Sequence, residues 1–209
     1  MGLGALEDWR NAVVSIRSDM GQLNKPTNSA VEARGEAGAL YVCPMSLVHE
    51  TLARTGARHL ITMVNLETMP ETPPSITAGN HLKLAINDIS EPQDGLIHPR
   101  PDHVDTLVRF ALHWNRQGPL VIHCWAGISR STAAAFITLC ALNPNTPEHL
   151  LARHLREASA TASPNRLLIR LADARLQRCG RMVTAIEQIG PGQMALEGQP
   201  FTLASRLAG

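Results

Sequence analysis

The residues most able to do chemistry lie in one run, Val121-Ile-His-Cys-Trp-Ala-Gly-Ile-Ser-Arg-Ser-Thr-Ala133. An apolar strand is expected to enter this run, a loop of small residues to cross it, and an apolar helix to leave it. That order points the backbone N–H groups of the loop into a concave site at a helix N-terminus, where the helix dipole favours negative charge. The run therefore predicts a cradle for a phosphate group.

Two side chains in the run suit a reaction on a bound phosphate. Cys124 lies at the mouth of the site, where the positive field that attracts phosphate also stabilises a thiolate, so a nucleophilic sulfur is expected at neutral pH. Arg130 carries a planar fork that can hold two phosphoryl oxygens at once, which a lysine cannot do. Gly127 gives the loop the freedom to adopt a positive φ.

The neighbouring side chains have supporting roles in this interpretation. The hydroxyl of Ser131 can donate to the sulfur and stabilise the departing thiolate. His123 is expected to be buried at the strand end and to orient the loop through hydrogen bonds rather than to act as an acid or base. The loop as a whole is predicted to bind the phosphate through Trp125, Ala126, Gly127, Ile128, Ser129 and Arg130.

The pattern His-Cys-x5-Arg-Ser at residues 123–131 resembles the active-site loop of the cysteine-dependent protein tyrosine phosphatase superfamily. A second stretch, Arg156 to Leu171, is similar to the Arg-…-Pro-Asn-x-x-Phe-x-x-x-Leu segment of the dual-specificity branch in its bacterial form. This likeness assigns Asn165 to structural support, although Leu168 stands where that branch usually has Phe. The resemblance covers roughly residues 40–176 and implies the superfamily's α/β fold, with the strand before Cys124 central in the sheet.

Phosphatases of this kind also use a general acid, usually an aspartate on a loop a few tens of residues before the cysteine. Asp88 directly follows the predicted strand Leu82 to Ile86 and is the preferred candidate. An aspartate at a strand end is also a common turn former, so competitors stay open. The competitors are Glu91, Asp94, Asp102 and Asp105.

The resemblance implies hydrolysis of a phosphoric monoester through a phosphocysteine intermediate. Residues 125–129 contain no Lys or Arg to grip an inositol polyphosphate, and Tyr41 is the only tyrosine, so no aromatic clamp of a deep phosphotyrosine pocket is evident. Protein phosphotyrosine, with phosphoserine or phosphothreonine also possible, is the expected substrate, and a small phosphomonoester is the other partner considered. Two alternatives are a rhodanese-like sulfurtransferase and a non-catalytic module that binds phosphorylated ligands.

The elements that must position these residues follow from hydrophobic periodicity. Short apolar runs alternate with helical patterns, which is typical of an α/β domain with a mainly parallel sheet flanked by helices. Strands are predicted at 40–43, 59–64, 82–86 and 120–123. Helices are predicted at 46–54, 102–114, 131–142, 148–156, 166–176 and 182–189. The catalytic domain is assigned to residues 39–190, preceded by an extension or linker at 1–38. It is followed by a tail at 191–209, either disordered or docked through Phe201 and Leu203.

The composition of the chain bears on its binding partners and on its cellular compartment. The chain of 209 residues has a net charge of +1, so it lacks the basic field that nucleic acid or an anionic membrane would require. No apolar run is long enough to span a bilayer, and acidic residues near the N-terminus do not fit a secretion signal. The nine histidines and four cysteines show no metal-ligand spacing, so no metal or cofactor is expected. Four cysteines without a disulfide framework suit the cytoplasm; the sequence leaves the oligomeric state open.

Overall fold

The computed structural model of this protein describes residues 35–207. Its centre is a five-stranded sheet. The strands are β1 (Ala39–Pro44), β2 (His59–Val64), β3 (His81–Ala85), β4 (Leu120–Cys124) and β5 (Phe201–Ala204), and their order in the sheet is β3-β2-β4-β1-β5. Strands β1 to β4 run parallel to one another, and β5 pairs with β1 in the antiparallel direction. The predicted α/β class with a mainly parallel sheet is confirmed.

Six α-helices flank the sheet within residues 35–207. They are α1 (Val48–Thr55), α2 (Pro101–His113), α3 (Arg130–Leu142), α4 (Glu148–Ala158), α5 (Arg166–Arg175) and α6 (Arg181–Ile189). Helix α3 packs on the central strands and against α2, α4 and α5, so it is the central helix on its side of the sheet. Helix α1 packs on β1 and β4.

The central strands are largely apolar because both faces of the sheet are covered. All five residues of β4 are buried, as expected for a parallel strand between helical layers. Leu60 and Val121 lie in a cluster with Val48 and Leu52 of α1. Most of α3 is also buried, and its run of small residues, Ala133 to Ala135, allows close packing. The strand and the helix that bracket the candidate loop are therefore the most enclosed elements of the domain.

Residues 201–204, which lie within the segment 191–209, form the edge strand β5 beside β1. Leu203 is fully buried, and Phe201 is half-buried. Of the two arrangements considered for this segment, docking through these side chains is the one observed. Most of the predicted N-terminal extension, 1–38, lies outside the described residues. Within residues 35–207, no helix combines the length and the apolar character needed to cross a bilayer.

We expect Leu203→Ala to lower the free energy of unfolding by about 2–5 kcal/mol, because it removes a fully buried side chain and leaves a cavity. Chemical denaturation followed by circular dichroism measures the change. Thr202→Ala, at an exposed position of the same strand, is the control and should change stability by less than about 1 kcal/mol. Equal effects of the two substitutions would show that β5 contributes no core.

Candidate active site

The candidate loop connects the central strand β4 to helix α3. Cys124 is the last residue of β4, is only 1% exposed, and lies opposite Pro44 of β1 and Met63 of β2 in the strand register. Arg130 begins α3. The cysteine and the arginine are thus each fixed by a buried element, and the loop between them has little freedom to move them apart.

The loop carbonyl groups point away from the centre of the loop, toward three surrounding segments of chain. These segments follow β1, precede β5, and connect α4 to α5. The backbone bonds are Met45 N–H to Trp125 O at 3.0 Å, Gly198 N–H to Ala126 O at 2.8 Å, Ser163 N–H to Ile128 O at 2.9 Å and Asn165 N–H to Ser129 O at 3.3 Å. The surrounding chain therefore holds the loop from outside.

The N–H groups of the same loop are left available. Within the described part of the chain, none of the backbone N–H groups of residues 125–130 donates a hydrogen bond to another protein group. Unpaired backbone donors at a helix N-terminus form an anion site, to which the helix dipole adds positive potential. These donors are therefore available to bind a tetrahedral anion.

Gly127 allows the loop to pass close to strand β1. Its φ is +71°, a conformation that other residues rarely adopt. A Cβ atom at this position would lie 2.7 Å from the backbone N of Pro44 and 2.9 Å from the carbonyl carbon of Cys43. Both contacts are to rigid backbone, so a side chain here would force the loop away from the sheet.

The sulfur of Cys124 has one polar side-chain partner. Its Sγ lies 3.1 Å from the hydroxyl oxygen of Ser131, which occupies the first turn of α3 and is fully buried. When the sulfur is ionised it can only accept, so the hydroxyl must then be the donor. The geometry can therefore stabilise a thiolate.

Arg130 is buried to 7% exposure, and one of its nitrogens is tied to the protein. Nη1 donates to the carbonyl oxygen of Ile86 at 2.9 Å, at the end of β3. Nε is buried without a hydrogen-bond partner among the described residues, and the nearest carboxylate oxygen, Asp88 Oδ2, is 3.7 Å away. A buried guanidinium N–H without an acceptor is costly, so this edge of the fork is suited to an anionic ligand.

Asp88 lies beside this edge, held by two donors on the same oxygen. Ser129 donates its hydroxyl to Asp88 Oδ1 at 2.7 Å, and Asn165 donates its Nδ2 to the same oxygen at 2.9 Å. Asn165 also caps α5, because its Oδ1 accepts the N–H of Leu168 at 3.1 Å. The side chain of Asp88 is still 35% exposed, so the carboxyl group is accessible from solvent.

The other acidic candidates are placed differently. Asp94 is exposed in a turn. Three others form ion pairs with arginines, none of which is Arg130: Glu91 with Arg170, Asp102 with Arg100, and Asp105 with Arg175. Of the five acidic candidates, Asp88 is the one that the described structure brings to the loop.

A series of hydrogen-bonded side chains connects the sheet to the loop. Of these side chains, only His123 is among the site residues predicted from the sequence. Thr62 Oγ1 lies 2.7 Å from His123 Nε2 and 2.8 Å from His81 Nε2. His123 Nδ1 approaches the carbonyl oxygen of Cys124 at 3.4 Å, and His81 Nδ1 lies 2.9 Å from Thr72 Oγ1.

Which atom donates in each of these bonds follows from the carbonyl group of Cys124, which can only accept. The carbonyl of Cys124 requires His123 Nδ1 to donate, so Nε2 of a neutral His123 accepts from Thr62. Thr62 then accepts from His81 Nε2–H, and His81 Nδ1 accepts from the hydroxyl of Thr72. Every member is satisfied only when both imidazoles are neutral. Burial lowers the pKa of His81 to about 4 and the pKa of His123 to about 4, consistent with this neutral chain.

These lowered pKa values predict a loss of stability in mild acid. The unfolded imidazoles take up protons near pH ~6.5, whereas the folded ones resist until about pH 4, so stability is full above the unfolded value and falls as the pH drops between the two. We expect a loss of about 2 kcal/mol per histidine between pH 7 and 5, measured by urea denaturation. His81→Gln should flatten this dependence, whereas the exposed control His113→Gln should keep it. Identical slopes in all three proteins would contradict the assignment.

Within residues 35–207, no group of three or more His, Cys, Asp or Glu side chains is arranged to hold a metal ion.

Comparisons with known proteins bear on this fold. No family model matches the sequence, and no curated protein matches it. Among solved structures, DUSP15 aligns with a TM-score of 0.54 at 20% identity, over 73% of this chain and 90% of that chain. PTPMT1 in complex with PI(5)P aligns with a TM-score of 0.50 at 15% identity, over 66% of this chain and 87% of that chain.

A mouse protein described as a dual specificity phosphatase, complexed with zinc tungstate, aligns with a TM-score of 0.51 at 18% identity, over 77% of this chain and 98% of that chain. The superfamily fold implied by the His-Cys-x5-Arg-Ser pattern is therefore the observed one. The chain has the α/β fold of the dual-specificity and protein tyrosine phosphatases.

Proposed function

We propose that this protein is a phosphatase that hydrolyses phosphoric monoesters through a phosphocysteine intermediate on Cys124. The observation that carries the proposal is the set of unpaired N–H groups of residues 125–130, closed on one side by the buried, unpartnered Nε of Arg130. A phosphoryl group would supply acceptors to both. Donors that are prearranged in this way stabilise the charge of the transferring group without reorganisation.

In the first step the Cys124 thiolate attacks phosphorus while the bond to the ester oxygen breaks. Arg130 and the loop N–H groups hold the equatorial oxygens. Asp88, in its protonated form, gives its proton to the leaving oxygen, so the alcohol or phenol departs neutral. In the second step a water molecule attacks the phosphocysteine and passes a proton to Asp88. Orthophosphate leaves, and Ser131 stabilises the thiolate that is released.

The preferred substrate is protein phosphotyrosine, with phosphoserine and phosphothreonine as further possibilities. Residues 125–129 present no cationic side chain that would select a polyphosphorylated ring, and Trp125, 58% exposed at the rim, can pack against a phenyl group. The structural neighbour PTPMT1 was solved with PI(5)P, so a lipid phosphate is the substrate to test beside phosphotyrosine.

The four cysteines are free thiols, and Cys124 must stay reduced to act as a nucleophile. A reducing compartment such as the cytoplasm suits this requirement.

We expect the protein to hydrolyse p-nitrophenyl phosphate, and we expect Cys124→Ser to abolish turnover because the weaker nucleophile cannot form the intermediate. Release of p-nitrophenolate at 405 nm measures the rate. Cys179→Ser, at an exposed thiol, is the matched control and should retain activity. Equal rates for the two variants would refute Cys124 as the nucleophile, and absence of turnover in the wild-type protein on every phosphomonoester tried would refute the proposed function.

Asp88→Asn tests the acid by its dependence on the leaving group. A proton donor matters most when the departing oxygen is strongly basic, so this substitution should slow phenyl phosphate hydrolysis by roughly 10²- to 10⁴-fold and affect an activated ester much less. It should also flatten the limb of the kcat/KM pH profile that reports the protonated acid. Asp94→Asn is the control because its side chain lies in an exposed turn. If Asp94→Asn shows the leaving-group effect and Asp88→Asn does not, the assignment is wrong.

A further inference from the structure

A short bridge of chain, residues 193–198, runs beside the candidate loop and is fixed at both ends. At one end Gln193 N–H donates to Ala160 O at 2.9 Å, and a Cβ on Gly192 would lie only 2.4 Å from the carbonyl oxygen of Thr161. At the other end Gly198 N–H donates to Ala126 O at 2.8 Å. The backbone of the bridge is therefore held at both ends, and Gly198 places it next to the candidate loop.

Between the bridge and the loop lies a pocket of about 350 Å³. Its lining is Met45, Ser46, Trp125, Ala126, Leu196 and Glu197. Trp125 and Ala126 belong to the candidate loop as well, so the pocket adjoins that loop. A peptide bound through its phosphate would bring a residue close to the phosphorylated one within reach of this pocket.

The pocket combines apolar walls with one negative charge. Trp125 is 58% exposed and Leu196 is fully exposed, so both offer apolar surface to a ligand. Glu197 accepts a hydrogen bond from the hydroxyl of Ser46 on Oε1 and forms no ion pair within residues 35–207. No Lys, Arg or His lines the pocket. The carboxylate charge is therefore unneutralised.

This combination fits the side chain of lysine or arginine. The methylene stem of such a residue packs on apolar and aromatic surface while its cationic head reaches a carboxylate. An exposed tryptophan face adds a cation–π attraction. An anionic group in the same place would meet the Glu197 carboxylate at short range and be repelled.

We propose that this pocket recognises a basic residue close to the phosphorylated residue of a peptide substrate, with Glu197 as the residue that sets this preference. The proposal rests on the proposed phosphatase function, because the cradle must hold the phosphate for the flanking residue to reach the pocket. Charge complementarity and the position of the pocket beside the candidate loop favour a basic phosphopeptide over an anionic lipid surface, whose headgroups would face the same carboxylate.

The experiment compares phosphotyrosyl peptides that differ at a single flanking position, scanned on both sides of the phosphotyrosine, carrying lysine, norleucine or glutamate. Norleucine keeps the apolar stem of lysine and removes only its charge. At low salt we expect kcat/KM for the best lysine peptide to exceed that of its norleucine partner about three- to tenfold, and the ratio to shrink as salt screens the pair. Glutamate at that position should be the poorest.

Glu197→Gln should bring the lysine-to-norleucine ratio close to one, and Glu197→Lys should reverse the order of lysine and glutamate peptides. Glu50→Gln, which removes an exposed carboxylate on α1 outside the pocket, is the control and should keep the wild-type ratio. A wild-type ratio of one, or a ratio that survives Glu197→Gln, overturns the proposal. Faster hydrolysis of PI(5)P in vesicles than of any peptide, unaffected by Glu197→Gln, overturns it in favour of a lipid.

Two readouts separate this proposal from the proposed function. Turnover of p-nitrophenyl phosphate reports the phosphatase function without any flanking residue. Binding of the same peptides to the Cys124→Ser protein, measured by fluorescence anisotropy, reports recognition without turnover. Hydrolysis without a lysine preference contradicts only the proposed role of the pocket. Binding with a lysine preference but no wild-type hydrolysis contradicts only the proposed phosphatase function.

Discussion

The structure of the candidate site depends on the outward direction of the carbonyl groups in residues 125–129. A peptide loop has as many acceptors as donors, and a cradle for an anion forms only if the acceptors are turned away from the ligand. Here four carbonyls are engaged by backbone N–H groups from three other parts of the chain. The positive potential of the cradle is thus a property of the whole domain. The loop sequence supplies small residues and one positive φ, and the surrounding segments supply the hydrogen bonds that hold it.

Arg130 and Asp88 lie close together without a hydrogen bond between them. Arg130 gives one hydrogen bond to Ile86 O and keeps Nε without an acceptor, although the Asp88 carboxylate is 3.7 Å away. Asp88 is kept from moving closer because Ser129 and Asn165 bind its other oxygen. A closer approach of Asp88 would give Nε a protein acceptor and leave less of the guanidinium group for a bound anion. Asn165, itself fixed as the cap of α5, holds Asp88 by Oδ1, while Oδ2 is the oxygen nearest to Arg130 Nε.

Much of this site could be predicted because the strand, the loop and the helix that form it are contiguous in sequence. The run around Cys124 contains its own positioning elements, and Asp88 lies three residues after the end of β3. The parts that could not be predicted depend on register and on backbone groups. Thr62 faces His123 only because β2 and β4 align in one register, and no sequence pattern states that register. Met45 and Gly198 act through their N–H groups, which leave no trace in side-chain type.

Strand β5 escaped prediction because it is four residues long and follows a proline, which gives neither a clear alternation nor a clear boundary. Its place beside β1 has a consequence for how the protein is made. The Ala126 carbonyl accepts from Gly198 N–H, and the outer edge of β1 is paired by residues 201–204, so both lack these partners until those residues have been synthesised. The nascent domain can collapse around β4 and α3 earlier, but the candidate loop gains this outer support only afterwards.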